Sequence, residues 1–546
     1  MKKALSLTLA LLMCAALFAA CSPDNGGITT TLPAAGALSG GGATTTGDGP
    51  APADNGFSGD VTITVMLMPQ APLDSYMMLR VADAVNARIA ELGYKFKVQF
   101  TPSGGGWGFD RLVTAVQTGS ANLDIIPAHS WSGVNYADGA REGQYIRLDH
   151  PENNLLEKYG PDIYGKTEPA VKTAATVAGD QGFGIYGYII EKDSVSQVGY
   201  LVNKTELEAL GFTMADFNAK DPSSWEPLLK AYKEKYPGGY PFNVEPEVFD
   251  RTANYISFIA PTAGPLGVIF NDSDPEASGA VISSRYENPA YRSFLNTVRG
   301  FYQAGYIDPD QGLPGEISAN SVSTRRTSGD YLITTFVYTP GQEMLHSQSA
   351  SSAQGRDIEI MWAPGWSSPL ATAETAMGSG LAVYAGSKYI PEAVTFLNLL
   401  AGDPVIVNLV GEGIEGESYT LDNGVLTRLD GRGGWNIWRY GVVSANSPAY
   451  PLDILSVYEL GDEFVELKNF NKIARSIPSS AFVFNSGPVA DQYNACIATI
   501  DRYAIPLGSG AADPSQYDTF LAELKASGVD DVVAEANRQL QEFLGS

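Results

Sequence analysis

The sequence predicts an α/β fold of two or more lobes, and three observations carry that expectation. Strand and helix signals alternate as β-α-β-α-β over residues 61–127, the order that builds a parallel sheet. Further strands and helices recur down the chain with no internal repeat. The chain has 546 residues, and the roughly 490 that follow a low-complexity N-terminal stretch exceed what one hydrophobic core serves.

Met1-Lys2-Lys3 is a short positive start, followed by a mostly apolar run from Ala4 to Ala20. That run is short of the ~20 apolar residues that span a bilayer comfortably and reads as the core of a signal peptide, residues 1–20. It ends Leu17-Phe18-Ala19-Ala20-Cys21, which resembles the bacterial lipobox, so Cys21 is expected to carry lipid. The alternative is an uncleaved anchor helix with an incidental cysteine. Residues 21–56 are Gly, Thr, Ala, Pro and Ser with almost no large apolar residue, and are expected to be a disordered tether.

In the body, Val61-Thr62-Ile63-Thr64-Val65-Met66-Leu67 places β-branched residues at alternate positions and predicts a strand. Tyr76, Leu79, Ala82, Val85, Ile89 and Leu92 recur at helical spacing, and Gly93 stops that helix. Tyr94–Phe100 alternates as a second strand, Asp110–Thr118 is a helix, and Leu123–Pro127 is a third strand. Gly199–Lys204 reads as a strand, Trp225–Tyr236 as a helix behind Ser223 and Ser224, and Pro289–Ala304 as a helix whose Tyr291 and Phe294 belong to the core. Tyr331–Tyr338 and Gly380–Tyr384 are strands, and Pro391–Leu400, about Ser515–Ala526 and Asp530–Leu544 are helices.

Composition excludes several functions. There are 35 Lys+Arg against 61 Asp+Glu, a net charge of −26. A field of that sign repels nucleic acid and anionic lipid, and the basic residues form no stripe. After cleavage only Cys21 and Cys496 remain, so no intramolecular disulfide is expected and Cys496 is expected to pack as a small core residue. Catalytic signals are poor. No nucleophile elbow follows a strand, and His129, His150 and His346 are scattered without metal spacing. Neither a metal nor a cofactor is expected.

Several runs taken together resemble the extracellular solute-binding proteins of ABC importers, in the broad maltose-type group. They are Ala121-Asn122-Leu123-Asp124-Ile125-Ile126 with Ser130-Trp131, Gly143–Asp149, Ser387–Asn398, and Gly411-Glu412-Gly413-Ile414-Glu415-Gly416-Glu417-Ser418-Tyr419. The last is similar to a G-I-E-G-x-x-Y signature of a Gram-positive lipoprotein branch. Tyr286–Tyr291, Phe301–Ile307 and the tail Leu521–Phe543 look like that branch too.

The resemblance implies a type II periplasmic-binding-protein fold, with two hinged lobes that close on a ligand. It also implies a monomer on the extracellular face of the cell membrane, serving permease subunits. On this reading residues 57–190 and about 329–385 form lobe 1, and about 195–325 and 386–480 form lobe 2. A C-terminal region, 481–546, packs its helices on the lobes.

The expected ligand is a sugar, more specifically an oligosaccharide. A peptide or other solute on the same fold, or a surface glycoside-acting enzyme, are the alternatives. Sugars need flat aromatics for their C–H faces and polar groups for their hydroxyls. Trp107 and Trp131 lie in loops after the second and third strands, in the cleft or packed over the sheet end, with His129 beside Trp131 as a hydroxyl donor or a packing residue. Trp362 and Trp366 share a loop from which one is expected to reach the cleft. Trp435 and Trp438 follow a glycine-rich turn and either face ligand or staple a domain. Tyr338 ends a strand, and Tyr76 opens the first helix.

Overall fold

The computed structural model describes residues 57, 61–104, 110–118, 122–130, 135–165, 167–190, 195, 199–245, 256–257, 264–269, 281–336, 342–365, 368–422, 425–438, 441–444, 469–513 and 515–545. The signal segment, Cys21 and the tether lie outside these residues. So do Trp107, Trp131, Tyr338 and Trp366.

Two sheets organise the body. Their strands, in chain order, are β1 (Thr62–Leu67), β2 (Lys97–Pro102), β3 (Ile125–Pro127), β4 (Tyr188–Ile189), β5 (Gly199–Asn203), β6 (Phe242–Asn243), β7 (Ile333–Thr335), β8 (Ile360–Pro364) and β9 (Gly380–Val383). The first sheet has five strands in the order β2-β1-β3-β9-β4, and the second has four in the order β8-β5-β7-β6. In the first, β1 runs parallel to β2 and β3, while β9 is antiparallel to β3 and β4. In the second, β5 is antiparallel to β7 and β8, and β6 is parallel to β7.

From Ile63 to Leu67 β1 is buried on both faces, and apart from Thr64 that stretch is apolar. The helix Ser75–Glu91 starts where the Asp74 carboxylate accepts the Met77 amide at 2.9 Å, and ends at Leu92 before Gly93, whose φ of +83° suits glycine. Its Met77, Val81, Val85 and Ile89 bury against the sheet, and Arg88 bonds Asp403, itself the cap of the helix Pro404–Glu412. β2 begins three residues later than the sequence suggested, because its pairing with β1 starts at Thr62 opposite Lys97. Tyr94 and Phe96 instead gather around Phe57 at 6.3 and 5.8 Å.

The lobe boundaries expected from sequence are corrected in their second halves. β7 and β8 pair with β5, so residues 331–336 and 342–364 belong with the second sheet. β9 pairs with β3 and β4, and the helices Ile390–Gly402 and Pro404–Glu412 share a core with Val65, Val85 and Trp435, so residues 380–422, 425–438 and 441–444 belong with the first. Short apolar strands carry no mark of which sheet they will join. Pairing partners decide it, and those lie far away in sequence. Among the described residues no single helix is long and apolar enough to cross a membrane.

The second lobe is completed by the end of the chain. Cys496 is fully buried, as expected, in the helix Ala490–Gly508, which the sequence reading passed over. With Ser515–Ala526 and Val529–Gly545 this helix packs into the same core as Trp225, Tyr291, Phe294 and Phe301. The C-terminal region therefore builds the second lobe rather than merely resting on it. Asp221, not Ser223 or Ser224, caps the turn before the 226–235 helix.

Among the described residues the chain passes between the lobes at three places. β4 leads to β5, β8 leads through 368–379 to β9, and the chain returns from Val442 and Val443 in the first core to Ile477 and Phe482 in the second. Two of these crossings are tied together. The Ala371 amide donates to the Arg475 carbonyl, and the Arg475 amide to the Pro369 carbonyl, both at 2.9 Å.

Candidate functional site

The crossings fix which edges of the two sheets face each other. β1, β2, β3 and β4 all end at one edge of the first sheet, where β9 begins. β6, β7 and β8 all end at one edge of the second, where β5 begins. The β4–β5 and β8–β9 crossings join those two edges. Open sheets bind ligands beyond the carboxyl ends of their strands, and here the chain crosses between two such edges.

At the first edge, Pro69 bridges Ile437 in antiparallel fashion, the Gln70 amide donates to the Asn436 carbonyl at 2.8 Å, and the Trp438 amide donates to the Met68 carbonyl at 2.9 Å. This segment is delivered by Gly431-Arg432-Gly433-Gly434, all at positive φ. Arg432, the non-glycine member at φ 46°, donates to the carbonyls of Gly411 and Ile437 and to Glu412. Trp438 then meets the His129 ring edge-on at 5.8 Å. Trp435 goes the other way. It is fully buried, packs on Phe100 at 5.8 Å and donates its indole N–H to the Val410 carbonyl. Of the two open readings for Trp435, ligand-facing or staple, the structure supports the staple, because alternate residues of the extended 435–438 segment point to opposite sides.

His129 itself is fully buried, and burial lowers its pKa to about 3. It is a neutral, packed ring at the strand end. Ser103, where β2 stops, is also fully buried, and its hydroxyl has no hydrogen-bond partner among the described residues. Tyr76 is the reverse: 63% exposed, on the first turn of its helix, steadied by Arg80, which donates to its hydroxyl and pairs with Glu417.

The burial of His129 sets a pH dependence. The unfolded ring titrates near 6.5 and the folded one near 3, so its contribution is complete above pH 6.5 and is lost as pH falls toward the folded value. Stability is expected to drop by about 3 kcal/mol between pH 6.5 and 4 on this account. His129→Leu should flatten that slope in urea unfolding measured across this range. An unchanged slope would discard this assignment.

At the second edge, Glu245 follows β6 and Phe336 follows β7. Arg326 pairs with Glu245 at 3.0 Å and lies over the Phe336 ring at 4.6 Å. His346 meets that ring edge-on at 4.9 Å, and burial, helped by Arg326, lowers its pKa to about 4. Trp362 is half-buried on β8 beside these groups, packing with Phe336 on the Leu201 and Tyr331 cluster. It fits because Gly199, diagonal to it across the ladder, has no side chain: a Cβ there would lie 2.5 Å from the Trp362 ring.

The structure thus brings His129 and Trp438 together at one edge, with Tyr76 on the first turn of the helix that follows β1, and puts Trp362 on the second sheet. Sequence reading missed Glu245, Arg326, Phe336 and His346. Their one available signal is that 245 and 336 directly follow strands. Among the described residues no group of three or more His, Cys, Asp or Glu is placed to hold a metal.

Comparison with known proteins agrees with this architecture. Residues 478–545 match a family described as a domain of unknown function (DUF3502). The chain is 27% identical over 469 residues to a carbohydrate ABC transporter substrate-binding protein of Streptococcus pneumoniae, covering 83% of this chain and 85% of that protein. The crystal structure of the N-glycan transport solute binding protein NgtS from Streptococcus pneumoniae matches with a TM-score of 0.67 at 21% identity, over 89% of this chain and 100% of that one. NgtS in complex with Man1GlcNAc matches at 0.59 and 22% identity, over the same shares. The fold is the two-lobed one of the extracellular solute-binding proteins.

Proposed function

We propose that this chain is the capture component of a carbohydrate importer. It takes an oligosaccharide between the two sheet edges and hands it to ABC permease subunits in the membrane to which lipid on Cys21 tethers it. The observation that carries this reading is the pair of sheet edges joined by the crossings, each carrying aromatic rings and polar side chains: Tyr76 and Trp438, with His129 packed behind Trp438, on one, and Glu245, Arg326, Phe336 and Trp362 on the other. Such sets suit the apolar faces and polar rims of sugar rings. The names of the similar proteins, one a carbohydrate transporter component and one solved with Man1GlcNAc, support a sugar over the alternatives. Trp107, Trp131, Tyr338 and Trp366 are proposed to join these walls. The work is binding and release, with no bond made or broken.

Titration calorimetry of the mature chain against manno- and malto-oligosaccharides, N-acetylglucosamine-containing glycans and short peptides tests the reading. Heat from one glycan class is the expected result. Response to peptides alone would overturn it. Tyr76 offers a sharper check because it is so exposed. Tyr76→Ala is expected to leave the melting temperature unchanged and weaken glycan binding about threefold to tenfold, the worth of one stacking ring. Unaltered affinity would remove Tyr76 from the wall.

A further inference from the structure

A second cavity lies where the C-terminal element meets the first lobe. It encloses about 200 Å³. The first lobe contributes Asn135, Asp138 and Val177, the 368–379 crossing contributes Glu374 and Met377, and the C-terminal element contributes Phe484, Ser486 and Tyr493. The last three fall in the segment that matches a domain of unknown function.

Tyr493 is the telling residue. It is only 8% exposed, it lines the cavity, and its hydroxyl has no hydrogen-bond partner among the described residues. A buried hydroxyl left unpaired costs about 1–3 kcal/mol. Most buried tyrosine hydroxyls find a partner, so one that lacks it beside an open cavity points to a group that arrives from outside. Burial raises the Tyr493 pKa far above its ordinary value, so the group stays protonated and can donate. Asp138, at the cavity wall and held by Arg141, adds an acceptor. Val177, Met377 and Phe484 make the rest of the wall apolar. The volume is below the ~300 Å³ at which sites for larger ligands begin, so it suits one ring and not a chain of them.

We propose that this cavity is a subsite for a single pyranose-sized polyhydroxyl unit, with Tyr493 donating to one of its hydroxyls and Phe484 against its C–H face. The C-terminal domain thereby supplies part of the ligand wall as well as part of the second core. This rests on the carbohydrate reading above. The ring is either the end unit of a captured oligosaccharide or a free monosaccharide.

The test is Tyr493→Phe in the full mature chain, titrated with manno- and malto-oligosaccharides and separately with mannose, glucose and N-acetylglucosamine. Affinity is expected to fall about fivefold to tenfold. A loss confined to the oligosaccharides identifies the chain end as the source, and a loss with a monosaccharide identifies the free ring. The ligand-free variant should melt at the same temperature or about 1–2 °C higher, because an unpaired buried hydroxyl has been removed. A purely structural hydroxyl would give the opposite pair: unchanged affinity and a lower melting temperature. That pair, or unchanged affinity alone, overturns the subsite while leaving the importer reading intact. Absence of glycan binding by the unaltered chain overturns both.

Discussion

Trp225→Ala is expected to cost the second lobe about 4 kcal/mol, at the upper end of large-to-small core changes. Trp225 is fully buried, and five residues hold it. Tyr200 and Phe242 present their edges at 4.7 and 5.5 Å, Phe217 and Phe301 stack at 5.1 and 6.4 Å, and the indole N–H donates to the Asn218 carbonyl at 2.8 Å. Alanine leaves a void that two stacked and two edge-on rings cannot all collapse into, and it removes the shorter of the two hydrogen bonds to the Asn218 carbonyl, leaving the one from the Asp221 amide. Trp225→Phe keeps most of the volume and loses the hydrogen bond, so it should cost roughly 1–2 kcal/mol. Urea unfolding followed by near-ultraviolet circular dichroism separates the two variants. Equal costs would show that the ring stack is not what holds this core.

Glu412→Ala is expected to cost the first lobe about 3 kcal/mol, by breaking a buried ion cluster from its centre. The Glu412 side chain is 3% exposed, and it accepts from Arg428 through two bonds at 2.9 Å and from Arg432 at 3.1 Å. Bidentate pairing of this kind is strong and geometrically specific. Arg432 is also the residue held at positive φ, so Glu412 helps stabilise a backbone that costs about 1–3 kcal/mol to maintain. Without it the turn that sets Trp435 under the sheet and Trp438 at its edge loses its anchor. Both stability and glycan affinity should therefore fall, and Glu412→Gln should recover part of the first and less of the second. A variant with lowered stability and unchanged affinity would uncouple the turn from the ligand wall.

The motif around Glu412 shows how far the sequence was legible. The run Gly411–Tyr419 stands out in the sequence as a resemblance to a signature, yet its physical content appears only in three dimensions. Glu412 gathers two arginines. Gly413 at φ +92° sits where a Cβ would strike Ser418, and Glu417 reaches Arg80 on the first helix. The strands and helices of 61–127 were readable because each is a local pattern of apolar residues at period two or near four. The sheet to which 333–364 and 380–383 belong was not, since Ile333 opposite Val202 and Leu381 opposite Pro127 are pairings made across the chain. The second ligand wall was hidden for the same reason. Arg326 lies in a polar helix with nothing to mark it, and only the fold sets it over Phe336. Trp435 and Trp438 look alike in sequence and separate only because the segment that carries them is extended, which points them to opposite sides.

The insertion of β9 between β3 and β4 also governs the order of assembly. β4 has no neighbour in its sheet until residues 380–383 have been made and brought back. β5 likewise waits for 333–335 and 360–364, and the core around Trp225 waits for the last helix, Val529–Gly545. Neither half of the molecule is a continuous stretch of chain: the first waits for residues 380–383 and the core residues up to Val443, and the second waits for the last helix. Contacts this distant in sequence also make folding slow. For a chain proposed to leave the cell through a narrow channel, that delay is an advantage. The topology keeps the first half loose until residues 380–383 have passed and the second until the last helix has, so that folding is completed on the side where the protein is proposed to work.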